Sequence, residues 1–310
     1  MLHYLSQSGI FATSTLQIRN RIQMGHISYK VAEHIFLVHA EKPEAVFECL
    51  TSYQPFVTEE ETEAPLFELT ISREQQTYGE EINRFEWDGS ECVIYRDDKG
   101  YSFELFPGGS SLSYIMRAEK NFTRVTASMK GEDQDVFVLN NFLMMTFAFA
   151  SASCKTLMIH ASVIRNSGKG FLFLGKSGTG KSTHSSLWLK YIEGSDLLND
   201  DNPIVRIVNG VPTVYGSPWS GKIPCYRNLS VPVGAFVKLK QAKENRIEKV
   251  KPVRGFVTVL SSCSVMKWDE HIYDGICDTI SEISMIVPVF QLDCLPDEDA
   301  ALLSFNTVCR

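Results

Sequence analysis

The stretch FLFLGKSGTGKSTHSSLW, Phe171–Trp188, decides how this chain is read. An apolar run leads into a glycine-rich turn, and a lysine, two hydroxyls and a helical stretch follow. Gly175-Lys176-Ser177-Gly178-Thr179-Gly180-Lys181-Ser182 fits the pattern GxxxxGK[ST], which suits a phosphate cradle. Glycines let the backbone wrap closely enough for its N–H groups to point at phosphate oxygens. The next helix presents its N-terminus, with partial positive charge, to the same anion. In this reading residues Gly175 to Thr183 hold a triphosphate, Lys181 neutralises β/γ-phosphate charge and Ser182 ligates Mg²⁺. The bland alternative is a flexible loop. Chance yields the pattern in roughly one chain of this length in a hundred, and here a strand-like run precedes it and a helical one follows.

Downstream, LLNDDNP places Asp200 and Asp201 at 19 and 20 residues after Lys181. An enzyme with such a loop needs a carboxylate for Mg²⁺, and a kinase needs one to accept the acceptor's proton. Two adjacent acids at a strand end divide these tasks. Asn-Asp-Asp-Asn-Pro is also good turn sequence, and the apolar run before it is shorter than in Ras-like proteins.

Upstream, LMIHASVI (157–164) and GFLFL (170–174) flank RNSGKG, a hairpin turn. Pairing Arg165 with Gly170 carries His160 opposite Gly175, where it can touch phosphates or acceptor. A slip of one residue turns it to the other face, and a packed core histidine is the alternative. His184, inside the helix, reads as a packing residue. A third stretch, YGSPWSGKIPCYRN (215–228), offers Lys222 and Arg227 to close over a nucleotide, or exposes them as solvated cations.

Composition sets the frame. The 310 residues are 44% hydrophobic and 22% charged, as in ordinary globular chains. A net charge of −7 argues against nucleic acid as partner. The absence of a long apolar run argues against a membrane span. The first 26 residues read as weakly structured, with no secretory signal and with Met24 as an alternative start. The 8 cysteines form no CxxC pair and no zinc spacing, which suggests a reduced, cytoplasmic protein without structural metal.

Residues 1–135 read as a β-rich domain of unknown role. Short strands at 34–40, 66–72, 92–97, 102–106 and 111–118 predict a mainly antiparallel sheet, with one helix near 43–52. An apolar helix over 136–153 opens the second domain, 136–310. There strands and loops continue through 234–240, and helical sequence runs to the C-terminus.

MIHASVIRNSGKGFLFLGKSGTGKSTHSSLW followed by LLNDD resembles the catalytic domain of HPr kinase/phosphorylase. The resemblance spans roughly 156–228. It implies an α/β (α+β) chain: a phosphoenolpyruvate carboxykinase/HPr kinase-like P-loop domain behind a mainly antiparallel β-rich one. It implies ATP and Mg²⁺ as cofactors, with Ser182 and one acid toward the metal and a base at Asp200 or Asp201, the first being favoured; the mechanism expected here takes Asp200 as base and Asp201 to assist Mg²⁺. His160 matches the family's strand histidine, and a homo-oligomer is compatible with it. No counterpart of the family's later signature is present, nor of its N-terminal domain.

The expected activity is transfer of the γ-phosphoryl group to a hydroxyl of a protein or small molecule. Asp200, Asp201, His160 and Lys181 would act on the reacting groups. The alternatives are a carboxykinase, and a non-catalytic ATP-binding or peptide-carrying module.

Overall fold

The computed structural model describes residues 25–309 apart from 61, 74, 75, 88 and 222. The chain is mixed α/β and divides into two compact units, Met1–Ala150 and Ser151–Arg310.

The first unit is built on an eight-stranded sheet in the order β1-β2-β3-β8-β7-β6-β5-β4. Its strands are β1 (His26–Val31), β2 (His34–His39), β3 (Glu68–Ser72), β4 (Glu80–Trp87), β5 (Ser90–Arg96), β6 (Gly100–Phe106), β7 (Tyr114–Glu119) and β8 (Arg124–Ser128). Alternation is clearest in β2 and β7: in β2, His34, Phe36 and Val38 are buried while their neighbours are half exposed. Most pairs are antiparallel, as expected, but β3 runs parallel to both β2 and β8. Helix α1 (Pro43–Cys49) and a 3-10 turn (Thr51–Phe56) lie between β2 and β3. This crossover lets the chain re-enter the sheet in the same direction.

Helix α2 (Asp135–Ala150) belongs to this first unit. The sequence reading put the boundary before it, at 135. The helix instead buries its aromatic face here. Phe147 meets Phe36 edge-on, Phe149 packs on Phe103 and Phe122, and Tyr53 donates a hydrogen bond to Asn140 at 3.1 Å. Each large apolar side chain removed from water stabilises by roughly 1.5–3 kcal/mol.

The second unit holds a nine-stranded sheet. Its main path is β12 (Asp196–Asp201), β10 (Ala161–Asn166), β11 (Lys169–Leu174), β15 (Ser230–Gln241), β14 (Val211–Tyr215), β13 (Ile204–Val208) and β9 (Thr156–Met158). The long β15 also pairs in parallel with β17 (Val289–Cys294), which carries β16 (Arg246–Lys249) on its other edge. These last two strands lie where the sequence reading expected helix only. β17 is a short apolar run directly after a helix, and periodicity cannot separate the two. Helices α3 (Lys181–Tyr191), α4 (Pro252–Leu260), α5 (Glu270–Ile286) and α6 (Glu298–Val308) complete the unit. Trp188 of α3 sits against Phe171, Phe173 and Phe305 at the centre of the core.

The run 157–164, read as one strand, is two. β9 pairs with β13, β10 pairs with β11 and β12, and His160 falls at the break.

Candidate functional site

The hairpin register is the one expected from sequence: Arg165 faces Gly170 and Ala161 faces Leu174. β11 gives way to Gly175, and the chain turns through 176–180 into α3. Gly178 and Gly180 have φ of +78° and +106°, values a side chain would strain. Thr179 closes the turn, its N–H and hydroxyl donating to the Lys176 carbonyl at 3.1 and 2.7 Å. No side chain caps the start of α3 at Gly180. The first-turn N–H groups therefore stay available to an anion. Lys176 and Ser177 are exposed at the loop tip, and Thr183 is exposed on the first helical turn.

Lys181 points back under the loop. Its Nζ lies 2.7 Å from His160 Nε2 and donates to the Gly175 carbonyl at 3.0 Å. Burial pulls its ammonium below the ordinary lysine value, against the opposing pull of Asp201 and Asp200. The other ring nitrogen of His160, Nδ1, is 3.0 Å from Asp201 Oδ1. An ammonium can only donate, so Nε2 accepts, and Nδ1–H is left to donate to Asp201.

Beside this chain of contacts, Ser182 Oγ lies 3.0 and 3.1 Å from the two carboxylate oxygens of Asp200. Asp200 is only 3% exposed. Under it, Ser162 and Ser185 share a hydrogen bond of 2.6 Å. Lys181, Ser182, Asp200, Asp201 and His160 thus converge where β10 begins and β11 and β12 end.

The acid pair is held by the segment 216–229, which runs along the free edge of β12. Gly221 N–H and the Ser220 hydroxyl both donate to the Asp200 carbonyl, the latter at 3.1 Å. Ser220 also bridges to Asp201, whose φ of +139° is uncommon for a non-glycine residue. A Cβ on Gly221 would sit 3.1 Å from the Asp200 carbonyl oxygen and 3.1 Å from Asp201 Cβ. Fully buried Asn199 anchors the same segment through the Ser217 hydroxyl and the Trp219 carbonyl, at 3.2 and 3.3 Å.

This segment was expected to close over a nucleotide. Its Arg227 lies elsewhere, bound to the Leu197 carbonyl at 2.5 Å and to Asp196 at 3.2 Å. Asp196 takes Arg165 as well, so both guanidiniums are engaged at the start of β12. Lys222 lies outside the described residues. Sequence reasoning missed Ser220, Gly221 and Asn199, whose role depends on a pairing made only in three dimensions. It also missed Gln241, whose amide reaches the Gly178 carbonyl at 3.3 Å from the end of β15. His184, as expected, is a packing residue: burial brings its pKa down to about 4, and its ring meets the Ser304 hydroxyl at 3.0 Å.

Two grooves flank the loop. One, of 560 Å³, lies between α3 and the segment 294–296; the other, of 620 Å³, is lined by Lys238, Lys240 and Arg254.

Fold and site define an α/β protein whose second unit carries a glycine-rich strand–loop–helix facing an acid pair. The chain belongs to the ScmC family: the family described as SynChlorMet cassette protein ScmC matches residues 125–294. No curated protein matches the chain. Among solved structures, the Hpr(Ser) kinase/phosphatase from Coxiella burnetii is similar over 49% of this chain and 93% of its own, at 16% identity and a TM-score of 0.28. Among the described residues no helix is long and apolar enough to cross a membrane.

Proposed function

We propose that the chain is an ATP- and Mg²⁺-dependent phosphotransferase that moves the γ-phosphoryl group to an acceptor hydroxyl. The observation that carries this reading is the meeting of Lys181, Ser182, Asp200, Asp201 and His160 beneath an uncapped helix start. Lys181 and the loop N–H groups would stabilise phosphate charge, and the buried site strengthens each such contact.

The donor set fits Mg²⁺, a hard cation that prefers oxygen. Asp200 is almost fully buried, and Ser182 is the side-chain donor to its oxygens among the described residues. The hydroxyl and carboxylate together would hold the metal, which neutralises phosphate charge when bound. This assigns Asp200 to the metal, whereas the sequence reading gave that place to Asp201. Asp201 is the more open acid, and His160 orients it. In this assignment Asp201 takes the acceptor's proton as the oxygen attacks the γ-phosphorus in line, and ADP leaves with the bond electrons.

The test is to incubate the protein with Mg²⁺, γ-labelled ATP and a cell extract separated into protein and small-molecule fractions. Label should appear in one fraction with the wild type and be absent with Asp201→Asn. Label that stays on ATP, while ATP binding is measured independently, would refute the kinase reading.

A further inference from the structure

The two grooves beside the glycine-rich loop differ in chemistry, and the difference assigns one of them. Lys238, Lys240 and Arg254 make the larger groove basic, with Glu248 3.6 Å from Arg254 and Gln291 accepting a hydrogen bond from Arg254. That lining suits an anion. The smaller groove is walled by Leu187, Leu239, Leu295 and Pro296, and its lip is the loop itself at Gly178–Gly180.

We infer that the smaller groove receives the nucleobase of the triphosphate whose phosphates lie on the loop. The inference rests on the proposed nucleotide reading and adds a binding subsite to it. Four observations support it.

The groove is continuous with the loop, so a ligand anchored there by its phosphates extends directly into it. Its volume of 560 Å³ falls in the range of small-molecule sites. Leu295 is 38% exposed at its mouth, an apolar surface that a flat ring would cover. No Asp, Glu, Lys or Arg is among the described residues that line the groove. The His184 ring is already turned to Ser304 and Phe173. Burial pushes the Cys294 thiol up to about 11.

The polar side chains at the groove are few. Gln241 is turned toward the Gly178 and Thr179 carbonyls at 3.3 and 3.4 Å. Thr183 lies at the loop end of the groove, on the first helical turn. Stacking and apolar cover, rather than hydrogen bonds to the base edge, would therefore supply the affinity. GTP should bind within about tenfold of ATP, because little in the groove reads the exocyclic groups.

The experiment is calorimetric titration of ATP and of inorganic tripolyphosphate, each with Mg²⁺, into the full chain. Tripolyphosphate reports the loop alone; the margin of ATP over it reports the groove. The wild type should bind ATP at least about tenfold more tightly than tripolyphosphate. Leu295→Asp and the groove-filling Ala242→Trp should erase that margin and leave tripolyphosphate binding unchanged.

If both variants keep the full margin, or weaken both ligands equally, the groove assignment is overturned while the loop reading stands. Wild type that binds the two ligands equally well also overturns it. Wild type that binds neither overturns the nucleotide reading and the groove with it.

Discussion

β12 carries aspartates at both ends, and their surroundings are opposite. At its start Asp196 sits between two guanidiniums, Arg165 and Arg227. Its carboxyl is held well below the usual range, first by the hydrogen bond from Arg165, against burial and with help from Arg227. At its end Asp200 is nearly inaccessible, yet among the described residues its carboxylate receives a serine hydroxyl, and Asp201 beside it faces a histidine. An aspartate answered by arginines is a strut. In the proposed reading, a buried aspartate answered by a hydroxyl, with a buried lysine nearby, is placed to meet something that binds. In the proposed reading, the same residue type on the same strand marks structure at one end and chemistry at the other.

The contrast can be broken at either end. The largest effect is expected at the chemical end. Lys181→Ala should weaken ATP binding about a hundredfold, near 2.7 kcal/mol, in equilibrium titration. Its thermal midpoint should stay close to wild type, since the lysine is itself held in an unfavourable, buried place.

Gly221→Ala should act next. The added methyl crowds the Asp200–Asp201 peptide. Turnover should fall about tenfold with ATP affinity unchanged, because misplacement of a reacting group acts on rate rather than binding. Equal loss of both would show that the segment 216–229, a strap along β12, supports the loop rather than the acids.

Asp196→Asn should leave turnover intact and lower stability by about 1 kcal/mol, the pair being partly exposed and screened. The sign with pH follows from the lowered carboxyl. Its stabilisation is complete above the unfolded value and disappears as pH falls through the lower, folded one. The gap between wild type and Asp196→Asn in chemical denaturation should therefore close below about pH 4.

The smallest shift is expected for stability in Asp200→Asn. A neutral amide avoids the desolvation of a buried charge, so the unfolding free energy should stay within about 0.5 kcal/mol of wild type or rise.

How much of this was legible beforehand depends on sequence distance. The strand–loop–helix and its hairpin are local, and the short turn RNSGKG between two apolar runs fixes their register. That register alone brought His160 toward Gly175. The contact of His160 with Lys181 follows from the same geometry, once the strand breaks at His160 and frees the ring from the ladder. Pairings made across long separations left no such signal. The parallel strand β3, the late strands β16 and β17, and the strap along β12 depend on which edges remain free after the rest has folded. Arg227 shows the consequence. Its place in a Gly/Ser/Pro loop suggested a cation for the nucleotide, but Asp196 lies 31 residues away in sequence and claims it in space. Apolar helix α2 misled in a different way: its composition marked a buried helix correctly, but not which core would bury it.

The most direct test sets the two ends of β12 side by side in one single-turnover experiment with γ-labelled ATP, Mg²⁺ and the acceptor fraction. The account predicts that Asp196→Asn transfers label at close to the wild-type rate, while Asp200→Asn transfers at least about a thousandfold more slowly. Transfer by Asp200→Asn at the wild-type rate would contradict it, and would mean that the buried acid at the end of β12 serves the fold and not the chemistry.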